Sequence, residues 1–182
     1  LVSDLLRETS PEFRWVIDDL LIFGGFSLLC GKPKSGKSSL ARCLGIAVTR
    51  GQQFLGRNTV QGVVVMFCLE DQRFMLKEVF NQLGIIGDEN LFLHCGNING
   101  SPLKHLRRAI EKYHPSLVII DTVFRFVKCH DSNSYTEVLS ALTPLSDLAR
   151  STGVHIMALH HMSKTQRQDS ADSILGSVGI HG

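Results

Sequence analysis

One run of residues near the start of the chain has the composition and spacing of a phosphate-binding loop. It follows the apolar residues 26–30, fits the pattern G-x-x-x-x-G-K-S, and consists of Gly31, Lys32, Pro33, Lys34, Ser35, Gly36, Lys37 and Ser38, with Ser39 next. A strand, a glycine-rich turn and a helix that begins near Lys37 aim successive backbone N–H groups at one concavity, which suits a polyphosphate. The Lys37 ammonium can reach the β- and γ-phosphates, and the Ser38 hydroxyl can ligate Mg²⁺. The loop therefore predicts a site for a nucleoside triphosphate, ATP above all.

Asp121 follows the apolar residues 117–120, which is the usual shape of a Walker B element. A carboxylate at the end of a strand beside the phosphate loop can hold Mg²⁺, directly or through water, together with Ser38. An Asp in this position is often only a turn or capping residue. The phosphate loop in the same chain favours the metal, so Ser38 and Asp121 are the predicted Mg²⁺ ligands.

Glu70 follows the apolar, β-branched run 63–69. Hydrolysis of a γ-phosphate needs a group that orients or deprotonates the attacking water, within hydrogen-bond reach of it. A carboxylate one strand over from the phosphate loop can stand there, so Glu70 and Lys37 are the predicted catalytic residues. The alternative is a solvated Glu that caps the next helix, although Asp71 is the better capping candidate of the pair.

His160 and His161 follow the strand-like run 154–159. Adjacent strand residues point to opposite faces, so we expect one imidazole to face the nucleotide and the other to pack sideways. An imidazole near the γ-phosphate could report its presence to surrounding loops. A structural role and a metal-binding pair are the alternatives; adjacent histidines are poorly disposed to chelate one ion.

Five apolar strands alternate with amphipathic helices and must position these residues. We expect strands near 26–30, 63–69, 91–93, 117–120 and 154–159, with helices between them; Pro144 should kink or split the last helix. This alternation predicts an α/β fold with a mostly parallel sheet and helices on both faces. Ligands of such sheets lie at the carboxyl ends of the strands, where the predicted site residues occur.

Length and composition narrow the class of protein. The 182 residues suit one domain spanning 1–182, and the start and end in mid-pattern suggest a piece that is truncated at its C-terminus. The five cysteines, at positions 30, 43, 68, 95 and 129, form no C-x-x-C pair and favour a reduced, cytoplasmic protein over a disulfide or zinc framework. A net charge of +2 neither demands nor excludes a nucleic-acid partner. No apolar stretch approaches the ~18 residues of a membrane span, and no signal peptide is visible.

Five blocks, in the right order, resemble RecA-like P-loop ATPases of the RepA (AAA_25) type. The opening block comprises WVIDDLL at 15–21 and GGFSLLCGKPKSGKS at 24–38; the later ones are GQQFLG at 51–56, LED at 69–71, IIDT at 119–122 and LHHMSK at 159–164. Because the resemblance covers residues 14–180 and several separate blocks, it is much more specific than the phosphate loop alone.

This resemblance implies a RecA-like core and a relationship to hexameric plasmid replicative helicases. It assigns Lys37 and Ser38 to phosphate and Mg²⁺, Glu70 to water activation and Asp121 to Walker B. It also places His160 and His161 in the γ-phosphate sensor region, with His161 favoured because it lies just past the strand. The stretch 173–177 resembles the family's RGSS segment but lacks its Arg. We therefore expect the arginine finger, which neighbouring subunits supply in this family, further downstream.

Two hypotheses about function remain open from the sequence. The first is a homo-oligomeric, hexamer-like ATPase motor that translocates single-stranded DNA as a helicase in replication of DNA or a mobile element. The second is a nucleotide-gated regulator whose ATP cycle changes assembly or partner binding without moving DNA. For the motor, Lys164, Arg167 and the polar run 165–173 could form a DNA-contacting loop, and a solvated surface turn explains them equally well. A small-molecule kinase is a weaker third option, because an acid after the second strand suits water better than a phosphoryl acceptor.

Overall fold

The computed structural model describes residues 2–5, 7, 13–87, 89–127 and 135–161 of the chain. Its elements, in chain order, are α1 (Val2–Leu5), β1 (Trp15–Ile17), β2 (Leu21–Ile22), β3 (Phe26–Gly31), α2 (Lys37–Arg50), β4 (Val64–Cys68), α3 (Arg73–Gln82), β5 (Leu91–Cys95), α4 (Pro102–Tyr113), β6 (Leu117–Asp121), α5 (Val123–Phe126), α6 (Tyr135–Thr152) and β7 (His155–His161). Strands β1 and β2 form a small antiparallel pair apart from the main sheet.

Within the described residues, the main sheet has five strands in the order β3-β7-β6-β4-β5, and every neighbouring pair is parallel. The register brings the strand ends into line: Gly31 lies opposite His161 in the β3–β7 pair, and Cys68 lies opposite Asp121 in the β4–β6 pair. The predicted α/β, RecA-like P-loop fold is confirmed. The loops that follow these strands therefore meet at one edge of the sheet.

Alternating side chains on β4 explain why both faces of the sheet carry helices. Val64 and Met66 belong to one apolar cluster with side chains of α2 and α3, and Val65 and Phe67 belong to another with side chains of α4, α5 and α6. All four are at most 3% exposed. Burial on both faces is typical of a parallel strand and accounts for the continuous apolar runs in the sequence.

Gly45 allows α2 to lie close to the middle of the sheet. A Cβ at this position would stand 2.2 Å from Met66 Cε on β4 and 3.3 Å from Ile119 Cδ1 on β6. A side chain there would therefore push the helix outwards or displace its neighbours. The close approach carries α2 over strands that are not neighbours of β3, and this determines what the start of the helix can reach.

Two expectations about the elements need correction, and some short elements were not foreseen. Strand β7 ends at His161, so both histidines lie inside the strand and do not follow it. Helix α6 is not split at Pro144, because Leu142 and Leu145 are buried in the core on either side and tertiary packing holds the helix together. The short elements α1, β1, β2 and α5 were not predicted, since two to four residues are too few to show a periodicity.

The described cysteines are free thiols, as expected. Cys68 is buried, Cys30 and Cys95 are half-buried in strands, and Cys43 is exposed on α2. Cys129 lies outside the described residues. In the part of the chain that the structure describes, none of the helices has the length and apolar character needed to cross a membrane.

Candidate active site

The predicted phosphate loop joins the end of β3 to the start of α2. Gly36 has φ 86° and ψ 6°, a left-handed conformation that glycine adopts without steric cost, and the helix begins at the next residue, Lys37. The Lys37 ammonium donates hydrogen bonds of 2.8 Å to both the Gly31 and Lys32 carbonyl oxygens and lies 3.5 Å from Ser35 Oγ. Although the loop itself is exposed, Lys37 is only 6% exposed. The loop therefore wraps around the ammonium.

The Ser38 hydroxyl lies beside the Asp121 carboxylate. They come from α2 and β6, and the sheet order places β7 between β6 and the loop strand β3. Asp121 is therefore not on the neighbouring strand, and it meets Ser38 because α2 crosses over the sheet. Burial raises the pKa of the Asp121 carboxyl, while the neighbouring Ser38 hydroxyl acts to lower it. A hydroxyl and a carboxylate side by side are the oxygen ligands that Mg²⁺ prefers, so this pair fits the predicted metal.

Glu70 lies just past β4 and is contacted from two other elements. Thr122 Oγ1 donates a 3.1 Å hydrogen bond to Glu70 Oε1, and Arg125 Nε lies 3.4 Å from the same oxygen. His161 Nε2 lies 3.5 Å from Glu70 Oε2. The expectation that Glu70 stands one strand over from the phosphate loop is wrong, because β7 and β6 separate β4 from β3. The side chain nevertheless reaches the end of β7, the strand next to the loop strand.

Asp71 is held by an ion pair and does not cap the next helix. The N-cap of α3 is Gln72, which makes no side-chain capping hydrogen bond. Arg42 on α2 binds the Asp71 carboxylate at 2.5 Å, and Arg42 is 8% exposed. The capping prediction for Asp71 is therefore wrong, because a buried cation from a distant helix competes for its carboxylate.

Comparison with protein families agrees with this geometry. The family model of the AAA domain called AAA_25 matches residues 1–167 of the chain. The chain belongs to this AAA domain family. At the level of the family it is a P-loop ATPase, which confirms the AAA_25 part of the resemblance seen in the sequence blocks. The RepA type and the relationship to helicases stay predictions. A search of curated proteins finds no significant match.

The two histidines of this AAA domain point in different directions, as adjacent strand residues should. His160 is 9% exposed and packs edge-on against Phe124 of α5, with 4.9 Å between ring centroids. His161 is half-buried and turns its Nε2 towards Glu70, while its Nδ1 is buried and finds no hydrogen-bond partner among the described residues. No group of three or more His, Cys, Asp or Glu residues within the described ranges could hold a metal ion.

Arg125 is a site residue that the sequence reasoning missed. Its Nη1 donates a 3.2 Å hydrogen bond to the Leu69 carbonyl, beside the contact of its Nε with Glu70. The available signal was its place in the chain, four residues after Asp121. A single helical turn after a strand end returns side chains towards that end, but α5 is too short to be recognised from periodicity.

The AAA domain also has a cavity of about 650 Å³ between α3 and β5, lined in part by Phe80, Ile85 and Leu91. None of the predicted site residues lines it. Other predictions fall outside the described residues: the DNA-contacting loop with Lys164 and Arg167, and the RGSS-like stretch 173–177. The described site is therefore the edge of the sheet where the phosphate loop, Asp121, Glu70 and His161 lie.

Proposed function

We propose that the chain binds ATP with Mg²⁺ at the phosphate loop and hydrolyses it with Glu70 as the general base. The observation that supports this most is the convergence of two side-chain pairs at one edge of the sheet, Ser38 with Asp121 and Glu70 with His161. These residues come from four different elements. Such convergence at the carboxyl ends of parallel strands is where this fold class binds its ligands.

The phosphate loop is proposed to bind the nucleotide, and the Ser38–Asp121 pair is proposed to bind the metal. Residues 31–39 bind the phosphates, with the Lys37 ammonium and the backbone N–H groups at the start of α2 as the cationic and dipolar contacts. Ser38 and Asp121 hold Mg²⁺, which when bound neutralises charge on the β- and γ-phosphates. The fold brings these two side chains next to each other.

Glu70 is proposed to accept the proton of the attacking water. The side chain is 41% exposed, so water can reach its carboxylate. The carboxylate takes one proton as the water oxygen attacks the γ-phosphorus, and the bond to the β-phosphate oxygen breaks to release ADP and phosphate. His161 and His160 are proposed as the sensor of the γ-phosphate, and the His161–Glu70 contact supports a direct link between sensing and the base.

The biological use of this cycle rests on the resemblance and not on the site. We propose a single cytoplasmic RecA-like ATPase domain over 1–182 that works as a homo-oligomer, hexameric in the full-length protein, and moves along single-stranded DNA as a replicative helicase or translocase. A neighbouring subunit would supply an arginine finger, a contribution that can be worth ~10³-fold or more in rate. The regulator without DNA translocation is the competing outcome.

The decisive test of the chemistry is Glu70→Gln, which keeps the shape of the side chain and removes its basicity. Turnover should fall by about 10²-fold or more, while affinity for ATP and Mg²⁺ is retained. Glu78→Gln is the matched control: Glu78 lies on α3 and accepts a hydrogen bond from Gln82, away from the site. Normal hydrolysis by Glu70→Gln, or loss of ATP affinity instead of turnover, would place the base elsewhere.

The motor is tested by ATPase rates with and without single-stranded DNA, on protein whose assembly state is known from light scattering. A motor should show DNA-stimulated turnover that rises with assembly. ATP-dependent assembly without any effect of DNA would favour the regulator, and rapid hydrolysis by a monomer would contradict the shared site between subunits.

A further inference from the structure

We infer that Arg125 is a positioning residue that holds the Glu70 carboxylate in its working orientation. The inference rests on the proposed role of Glu70 as the base. It goes beyond that role because it assigns a task to a side chain outside the phosphate loop, the metal pair and the sensor histidines.

The guanidinium of Arg125 touches the end of β4 at two points. Its Nε lies 3.4 Å from Glu70 Oε1, and its Nη1 donates a 3.2 Å hydrogen bond to the carbonyl oxygen of the preceding residue, Leu69. One planar, rigid group therefore contacts both the carboxylate and the backbone that carries it. This fixes the direction of the side chain relative to the strand, which a single contact would not do.

The turn that carries Arg125 is anchored firmly in the core. Val123 and Phe126 of α5 are both 0% exposed, and Phe126 packs edge-on against Phe67 of β4 with 5.2 Å between ring centroids. Thr122, which immediately precedes the turn, donates to the same Glu70 oxygen that Arg125 contacts. Both donors are thus held by a buried scaffold, and they restrain one carboxylate oxygen.

Exposure argues against a mainly structural role for the Arg125–Glu70 pair. The two side chains are 57% and 41% exposed, and ion pairs of that kind contribute little to folding. Geometry matters far more to catalysis, since a displacement of about 1 Å can cost about 10²-fold in rate. The expected effect of losing Arg125 is therefore on turnover and not on stability.

The test is Arg125→Ala, followed by steady-state hydrolysis of radiolabelled ATP, a readout sensitive enough for slow rates. We expect kcat to fall by about 10-fold or more, KM for ATP to change by less than about twofold, and the melting temperature to stay the same. Because the position is exposed, free guanidinium at millimolar concentration should restore part of the lost rate. Arg125→Lys should retain more activity than the Ala variant, since its ammonium can replace one of the two contacts.

Arg57→Ala is the matched control. Arg57 also uses its guanidinium to bind one backbone carbonyl and one carboxylate, those of Asp18 and Asp19, but it lies between the β1–β2 turn and the residues before β4. Its removal should leave the rate unchanged and insensitive to guanidinium. A similar loss in Arg57→Ala would mean that any such pair matters through folding, which would overturn the inference.

A double variant separates positioning from direct contact with the nucleotide. If Arg125 acts through Glu70, then adding Arg125→Ala to Glu70→Gln should lower the hydrolysis rate little further. Free guanidinium should not raise the rate of this double variant. A full additional loss with a raised KM would mean that Arg125 binds the phosphates, and the inference would be wrong. A loss of turnover in Glu70→Gln together with normal turnover in Arg125→Ala would also refute the role of Arg125, and the proposed function would still stand. Normal rates in Glu70→Gln would refute the proposed function itself.

Discussion

Removal of the Lys37 ammonium should weaken ATP binding without unfolding the protein. In the structure this ammonium donates to the Gly31 and Lys32 carbonyl oxygens, which belong to a loop that is otherwise open to solvent. In Lys37→Ala, water can replace the lost donor at both oxygens, so the net cost to folding stays near the ~1 kcal/mol of an ordinary hydrogen bond.

The loss in binding follows from the donors that the ammonium has left. Lys37 has three N–H donors, and two of them make 2.8 Å bonds within the loop, whereas the contact with Ser35 Oγ is a weaker 3.5 Å. The third donor is therefore the one available for a phosphate oxygen. A hydrogen bond between charged groups is worth about 1.5–3 kcal/mol, which corresponds to a loss of about 10- to 150-fold in affinity.

Two measurements check this prediction. Titration with a fluorescent ATP analogue gives the change in Kd, and denaturation with and without ATP gives the same quantity by linkage. At an ATP concentration of about 100 times the wild-type Kd, stabilisation of the wild type should be about 2.7 kcal/mol, and a variant that binds 100-fold more weakly should show about 0.4 kcal/mol. Lys104→Ala, a change of an exposed lysine on α4, is the control. Wild-type affinity and turnover in Lys37→Ala would refute the assignment of the whole loop.

Two further predictions concern stability. Burial lowers the pKa of His155 below its ordinary value of 6.5, and its ring bonds the Ile22 carbonyl oxygen and the Ser27 hydroxyl. As the pH falls through about 6.5, the unfolded chain therefore binds a proton at His155 that the folded chain does not bind, so the free energy of unfolding should drop below that pH. Urea titrations should show a weaker pH dependence of this free energy in His155→Gln. An unchanged pH dependence in that variant would mean that other groups cause the effect. Phe126→Ala should lower the free energy of unfolding by about 3–5 kcal/mol, because it empties a fully buried position against Phe67. A loss under ~1 kcal/mol in urea unfolding would show that the core closes around the gap.

The sequence predicted the composition of the candidate site better than its geometry. The phosphate loop is a local pattern, since one glycine with positive φ and one helix start define it. The strand-end positions of Asp121 and Glu70 follow from apolar runs of four and seven residues. The order of the strands in the sheet, in contrast, cannot be read from local sequence patterns. Strand β7 is the last strand among the described residues, yet it lies between β3 and β6, and no local pattern marks that position.

Two side chains show how distant partners change a local expectation. Asp71 has the residue type and place of a helix cap, but Arg42, 29 residues away, binds its carboxylate. Arg125 could not be singled out from the sequence, because the four residues of α5 carry no detectable period. In both cases the deciding contact joins elements that are far apart in the sequence, so it could be found only once the fold had brought them together.

The residues after β6 connect the two halves of the proposed site. Asp121 ends that strand and meets Ser38, whereas Thr122 and Arg125 follow it directly and hold Glu70. Because Val123 anchors the same turn with no exposed surface, the separation between the proposed metal-binding carboxylate and the proposed base depends on one short, firmly packed stretch of chain. A movement that tilted this turn would therefore shift the base relative to the metal site, and hydrolysis would respond to it even with the phosphate loop undisturbed.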